Sequence, residues 1–175
     1  MEKRSRNMAD ALLCGLAPVV GPDTKVLILG SFPGVQSLQL QQYYAHPRNH
    51  MWPLLAALWP EHPQPGTYAE RCAWLLERGL GLWDVYAACE REGSLDTSIR
   101  NAQLNDFGAL KKQCPQLVAA AHNGGESFRH AARVQAVLGL PSYRLPSSSP
   151  ANASWSFERK LAGWRDVMRQ SGLLA

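Results

Sequence analysis

Between Tyr43 and Leu55 the chain reads YYAHPRNHMWPLL, a run of tyrosine, histidine, arginine and asparagine placed directly ahead of apolar residues. Tyrosine rings in a loop can stack on a flat heteroaromatic ligand, and Tyr43 and Tyr44 are both candidates. An asparagine amide can orient a water molecule, although it is a poor base. Pro53 is tolerated only in the first turn of a helix, so a helix should begin shortly after Asn49. In that position Asn49 is either a helix cap or a group that holds water, and periodicity alone leaves both open.

Other segments carry polar groups of the same kind. GSFPG (Gly30 to Gly34) sets two glycines around Ser31, Phe32 and Pro33. Such a loop lets backbone amides approach a ligand closely. It lacks the glycine order of a dinucleotide site, the Gly-Lys-Ser/Thr of a P-loop and the GxSxG of a hydrolase elbow. LPSSSPAN (Leu145 to Asn152) places the hydroxyls of Ser147, Ser148 and Ser149 and the amide of Asn152 ahead of an amphipathic helix expected from about Ser154. Hydroxyls and amides near a helix start suit a phosphate, while capping by Asn152 or Ser154 explains only part of the set. HNGGES (His122 to Ser127) reads as a turn between strand and helix, with Asn123 as a candidate contact. His46, His50, His62, His122 and His130 lack metal-ligand spacing, and no metal or cofactor is expected.

The elements that must position these loops are short. Lys25–Gly30, Leu82–Ala87, Leu117–His122 and Ser142–Pro146 are nearly continuous apolar runs, as strands buried on both faces require. Helical stripes lie between and after them: Tyr68, Cys72, Leu75 and Leu76; Phe128, Ala131, Gln135 and Leu138; Phe157, Leu161, Trp164 and Met168. The alternation predicts a parallel α/β sheet covered by helices. Ligands of such sheets bind beyond the carboxyl ends of the strands, where the unusual loops fall. The tryptophans are expected mostly in the core.

The 175 residues, 46% hydrophobic and 18% charged, fit a single domain spanning 1–175. No apolar stretch reaches membrane-spanning length. The first residues lack the apolar core of a secretory signal, so an intracellular, cytoplasmic location is expected. Cys14, Cys72, Cys89 and Cys114 show no CxxC pair and are read as buried, reduced thiols. A net charge of +4 is compatible with a polyanionic partner. Its two basic clusters, Lys3, Arg4, Arg6 and Arg159, Lys160, Arg165, Arg169, are read as solvated surface.

In their order and position, GSFPG, then YAHPRNHMW, then SPAN after the last strand resemble the motifs of the uracil-DNA glycosylase superfamily, with spacing nearest its mismatch-specific branch and wording nearest its hypoxanthine (deoxyinosine) branch. The resemblance runs from Lys25 to about Met168. It implies a three-layer α/β/α sandwich around a four-stranded parallel sheet. It also implies a monomeric enzyme that flips a deaminated base from DNA and hydrolyses its N-glycosidic bond, in base excision repair. Phe32 stands where the mismatch-specific branch has a water-positioning asparagine, and Phe32 has no polar group to do that work. The hypoxanthine branch also lacks that asparagine, and by likeness to it Asn49 takes the catalytic role. By the same likeness Tyr44 stacks on the base, Gly30, Ser31 and Phe32 line its pocket, and Ser147, Ser148, Ser149 and Asn152 grip the DNA backbone. With Pro146-Ser147 aligned to the second motif, Leu145 replaces a histidine that supports the leaving base in some members; with Ser149-Pro150-Ala151-Asn152 aligned instead, Ala151 falls where relatives carry a large wedge. Weak help to the leaving base and a preference for destabilised pairs are therefore expected.

Hypoxanthine is a better leaving group than adenine and pairs imperfectly, which lowers the cost of flipping. No lysine lies in these loops to form a Schiff base, so base release without strand cleavage is expected. The alternatives are a uracil or mismatch-specific glycosylase, a nucleic-acid-binding module without turnover, and a hydrolase of free nucleosides. Salt-sensitive binding without base release would mark the binding module.

Overall fold

The computed structural model describes residues 11–175, and the Lys3, Arg4 and Arg6 cluster lies outside the described residues. The chain orders its elements as β1 (Leu13–Cys14), β2 (Val26–Gly30), α1 (Val35–Leu40), α2 (Met51–Leu58), α3 (Tyr68–Glu77), β3 (Leu80–Asp84), β4 (Tyr86–Glu90), β5 (Arg100–Leu104), α4 (Phe107–Gln113), β6 (Ala119–Asn123), α5 (Gly125–Phe128), α6 (Ala131–Leu138), β7 (Ser142–Leu145) and α7 (Phe157–Gln170). Four strands form a parallel sheet in the order β3-β2-β6-β7. The expected three-layer α/β/α architecture is the one observed.

Strand β2 explains why the sheet needs cover on both faces. Its side chains alternate sides, and every residue of it is buried. Val26 and Ile28 pack in one core with α2, α3 and α7, through Leu54, Leu55, Leu75 and Trp164. Leu27 and Leu29 pack in the other with β4, α4 and α6, through Tyr86, Phe107, Leu110 and Val134. Fully burying one such aliphatic side chain contributes about 1.5–3 kcal/mol, so this strand alone anchors the GSFPG loop firmly.

The structure departs from the expected elements in several places. LWDVYA is not one strand: β3 ends at Asp84, and Tyr86 begins β4, which pairs antiparallel with β1 and β5 in a second, three-stranded sheet. The stripe at Phe128 to Leu138 is divided into α5 and α6. Helix α7 starts three residues later than expected, capped by Ser156 through the Arg159 amide rather than by Asn152 or Ser154. All four cysteines are free, with Cys89 and Cys114 buried, but Cys14 is exposed on its two-residue edge strand. Lys160 is not on a solvated face: it is among the largest fully buried side chains. Among the described residues no helix is long and apolar enough to cross a membrane.

Candidate active site

The carboxyl ends of β2, β3, β6 and β7 open into one cavity of about 960 Å³. Gly30, Ser31, Phe32, Tyr44, Asn49, Asn123, Ser147, Ser148, Ser149 and Asn152 all line it. The loops singled out in the sequence therefore meet at one place. Among the described residues, no group of three His, Cys, Asp or Glu side chains could hold a metal ion.

GSFPG forms the floor. A Cβ added at Gly30 would lie 2.5 Å from Asp84 Oδ1 and 3.0 Å from the Tyr44 hydroxyl, so only glycine lets those groups converge over the strand end. The carbonyls of Gly30 and Ser31 accept the Val85 and Tyr86 amides, which ties the loop to the junction of β3 and β4. Ser31 Oγ donates to Asp96 Oδ1 at 2.6 Å. Phe32 is buried, with the Arg91 guanidinium 5.2 Å from its ring centroid, and Arg91 donates to the Pro33 carbonyl at 2.6 Å. The β4–β5 connection thus holds the loop from outside, an arrangement invisible in the motif itself.

The wall above contains the cluster around Asn49. Met51 N donates to Asn49 Oδ1 at 2.9 Å, so the side chain does cap α2 from one residue before the formal cap His50. A carbonyl oxygen has two lone pairs, and the cap uses one. Capping and water binding are therefore compatible at this residue. His50 N donates to the Ser148 carbonyl at 3.0 Å, which docks this wall against the serine loop. Tyr43 borders the cavity, but its side chain packs in the core. It is buried, and its hydroxyl donates to the Ala17 carbonyl at 2.9 Å. Tyr44 lines the cavity as well, half-buried and with a positive φ of 55°. Burial, and next the charge of Asp84, hold its phenol protonated well above the usual tyrosine range.

Asn123 acts chiefly on the loop beyond β7. Its Nδ2 donates to Ser148 Oγ at 2.8 Å and to the Tyr44 hydroxyl at 3.2 Å, while its Oδ1 accepts the Ser148 amide at 2.9 Å. Ser148 is consequently buried and clamped, so it supports the loop instead of presenting a hydroxyl to a phosphate. Ser147 and Ser149 are half-buried, each accepting a backbone amide two residues on, from Ser149 and Ala151. A hydroxyl that accepts still has its own proton to donate. Asn152 Nδ2 closes the loop onto the Ser147 carbonyl at 3.1 Å.

Three residues that the sequence placed elsewhere belong to this region. Lys160 lies beneath the serine loop, 3.2 Å from His50 Nδ1 and 3.4 Å from the Ser149 carbonyl, and burial lowers its pKa. Trp155 lines the cavity, half-buried, with the Arg159 guanidinium 3.6 Å from its ring centroid. Asp84 lines the cavity at the end of β3, nearly fully buried, and its Oδ2 has no hydrogen-bond partner among the described residues. Burial first, then the neighbouring charge of Asp96, raise its pKa to about 7 against the opposing pull of Arg91. One signal was available: a carboxylate interrupting an apolar run at a strand's carboxyl end. Asp96 and Arg91, on an irregular connection, gave none.

Comparison with known proteins bears on the family of the chain. The family model of the uracil DNA glycosylase superfamily matches residues 17–168. The chain belongs to that superfamily. Within it, the chain is 37% identical over 156 residues to a hypoxanthine DNA glycosylase of Methanosarcina barkeri, covering 89% of this chain and 98% of the relative. A hypoxanthine DNA glycosylase of Methanosarcina acetivorans is 36% identical over 155 residues, covering 89% and 97%. A solution NMR structure from Methanosarcina acetivorans, provisionally assigned as a uracil DNA glycosylase, superposes with a TM-score of 0.80 at 35% identity, over 92% of this chain and 99% of that one. The matched span takes in every superfamily loop that lines the cavity.

Proposed function

We propose that the protein is a monofunctional DNA glycosylase that releases a deaminated base, hypoxanthine foremost, after the base has been flipped from the helix. It acts as a monomer on cellular DNA and draws on no cofactor. The observation that carries this reading is the position of Asn49 on the cavity wall, with its amide oxygen anchored by the Met51 amide. That anchor orients the second lone pair before substrate arrives, which is how an enzyme lowers the entropic cost of placing water. The named activity of the two relatives supports hypoxanthine as the base.

An amide cannot take a proton from water, so water does not drive the reaction. The bond to the base breaks first, and the sugar passes through an oxocarbenium-like state favoured by the adjacent phosphates. Water held at Asn49 then adds to the anomeric carbon. Tyr44, kept neutral, offers its ring to the extruded base. Ser147, Ser149 and Asn152 serve the flanking phosphates, and Asn123 and Ser148 hold their loop in shape.

Single-turnover release from duplexes carrying one hypoxanthine or one uracil tests the reading. Hypoxanthine release is expected, leaving an alkali-labile site without strand cleavage. Asn49→Ala should lower the rate at least ~100-fold while DNA binding persists. The lost cap should cost only about 1 kcal/mol of stability, so the variant remains folded. Binding without release by the native protein would reduce it to a nucleic-acid-binding module.

A further inference from the structure

Asp84, Asp96 and Asp166 line the cavity, and the Asn49 mechanism uses none of them; Asp84 is the one at a strand end beside the pocket floor. Asp84 is 5% exposed and lies at the carboxyl end of β3, with Oδ1 over Gly30 and Oδ2 unpartnered among the described residues. Its backbone is held rigidly, since the Asp84 carbonyl accepts Asn105 Nδ2 at 2.8 Å and the next amide, Val85 N, donates to Gly30. Buried polar atoms are nearly always paired, so an unpartnered carboxyl on a side chain that lines a ligand cavity points to a partner that the ligand brings. Leu145, at the carboxyl end of β7 and also lining the cavity, is fully buried and has no polar side-chain group to offer a leaving base.

Building on the glycosylase reading above, we infer that Asp84 is the catalytic acid that supports the departing base, donating the proton of its carboxylic acid form to an acceptor on the edge of the purine. The acceptor is the six-position carbonyl oxygen or the imidazole nitrogen beside it. The proton moves from the carboxyl oxygen to the base as the glycosidic bond breaks. The bonding electron pair leaves with the base, which departs neutral. Water at Asn49 adds to the sugar cation and yields one proton to bulk solvent, from which the Asp84 carboxylate is later reprotonated. Atoms and charge balance without any further reactant.

The surroundings favour the acid form. Facing Asp84 are Tyr43 and Tyr44 from the segment before α2, whose phenols burial keeps neutral, and Arg91 and Asp96 from the β4–β5 region. Arg91 favours ionisation, whereas Asp96 and burial oppose it more strongly, leaving a group that titrates at about pH 7. An acid of that strength is protonated often enough to act at neutral pH and gives up its proton readily. The same carboxylate on the surface would be ionised there and could not donate.

The test is single-turnover release of hypoxanthine between pH 5.5 and pH 9 by the native protein and by Asp84→Asn. The native rate should fall about tenfold per pH unit above pH 7, because only the protonated acid is competent. Asp84→Asn should bind the same duplex comparably, lose roughly 10²–10⁴-fold in rate at pH 6, and lose the falling limb. Native-like rate at pH 6, or an unchanged falling limb in the variant, overturns the role of Asp84 while leaving the glycosylase reading intact. A native protein that releases no base at any pH overturns both. Were the variant to lose its thermal unfolding transition, the native profile decides alone: a rate independent of pH from 6 to 8.5 overturns the inference.

Discussion

Asn49 and Gly30 show how one residue can meet a local backbone demand and a chemical one together. Asn49 was ambiguous in the sequence because capping and water binding use the same amide, and the structure places it where both are possible. Gly30 is a sharper case, since its backbone φ is ordinary and its glycine requirement comes wholly from what lies above it. A methyl group there would sit 2.5 Å from Asp84 Oδ1. Gly30→Ala should therefore displace the carboxyl and cost about 1–3 kcal/mol, the usual penalty of overpacking. Denaturant unfolding measures the stability, and the pH profile of base release should flatten as the carboxyl turns away. An unchanged stability and profile would mean that the floor of the cavity is softer than its contacts suggest.

At the scale of elements, legibility followed burial. Strand β2 and helices α3 and α7 were readable because each puts a regular apolar pattern against the core. Strands β1 and β5 were not, because β1 has two residues and β5, RNAQL, is exposed along most of its length and carries no apolar alternation. LWDVYA misled for a physical reason: two strands of different sheets are joined through a single residue, Val85, so their apolar residues run together. The serine loop was legible as a cluster of hydroxyls beside the cavity, but not the burial of Ser148 or its clamp from Asn123, which depends on a contact across 25 residues. Ser147→Ala and Ser149→Ala should each weaken DNA binding roughly 3- to 10-fold, the worth of one hydrogen bond. The salt dependence of binding should stay the same, because no charge is lost, whereas Arg159→Ala should reduce its slope by about one phosphate contact. A serine variant that changes the slope would indicate that the loop's shape, and with it the placement of nearby cations, had been disturbed.

For the whole molecule, the carboxyl that serves the site opposes folding. In the unfolded chain Asp84 should titrate near the ordinary aspartate value, while in the folded chain its pKa is about 7, burial being the main cause. Between those values the folded state binds a proton that the unfolded state has lost, so folding is favoured at low pH and stability declines as pH rises toward 7. The full decline attributable to this group is at most about 4 kcal/mol, since each pKa unit is worth ~1.4 kcal/mol. Asp84→Asn removes the titration while keeping the side chain's shape. Near pH 4.5 the variant and the native protein should thus be similar in stability, and at pH 8 the variant should be the more stable by a few kcal/mol, seen as a higher midpoint in denaturant. Equal midpoints at pH 8 would place the carboxylate in a better solvated site than its burial implies, and would weaken the case for it as an acid. A variant that gains stability as it loses rate would identify Asp84 as a residue retained for catalysis at the expense of the fold.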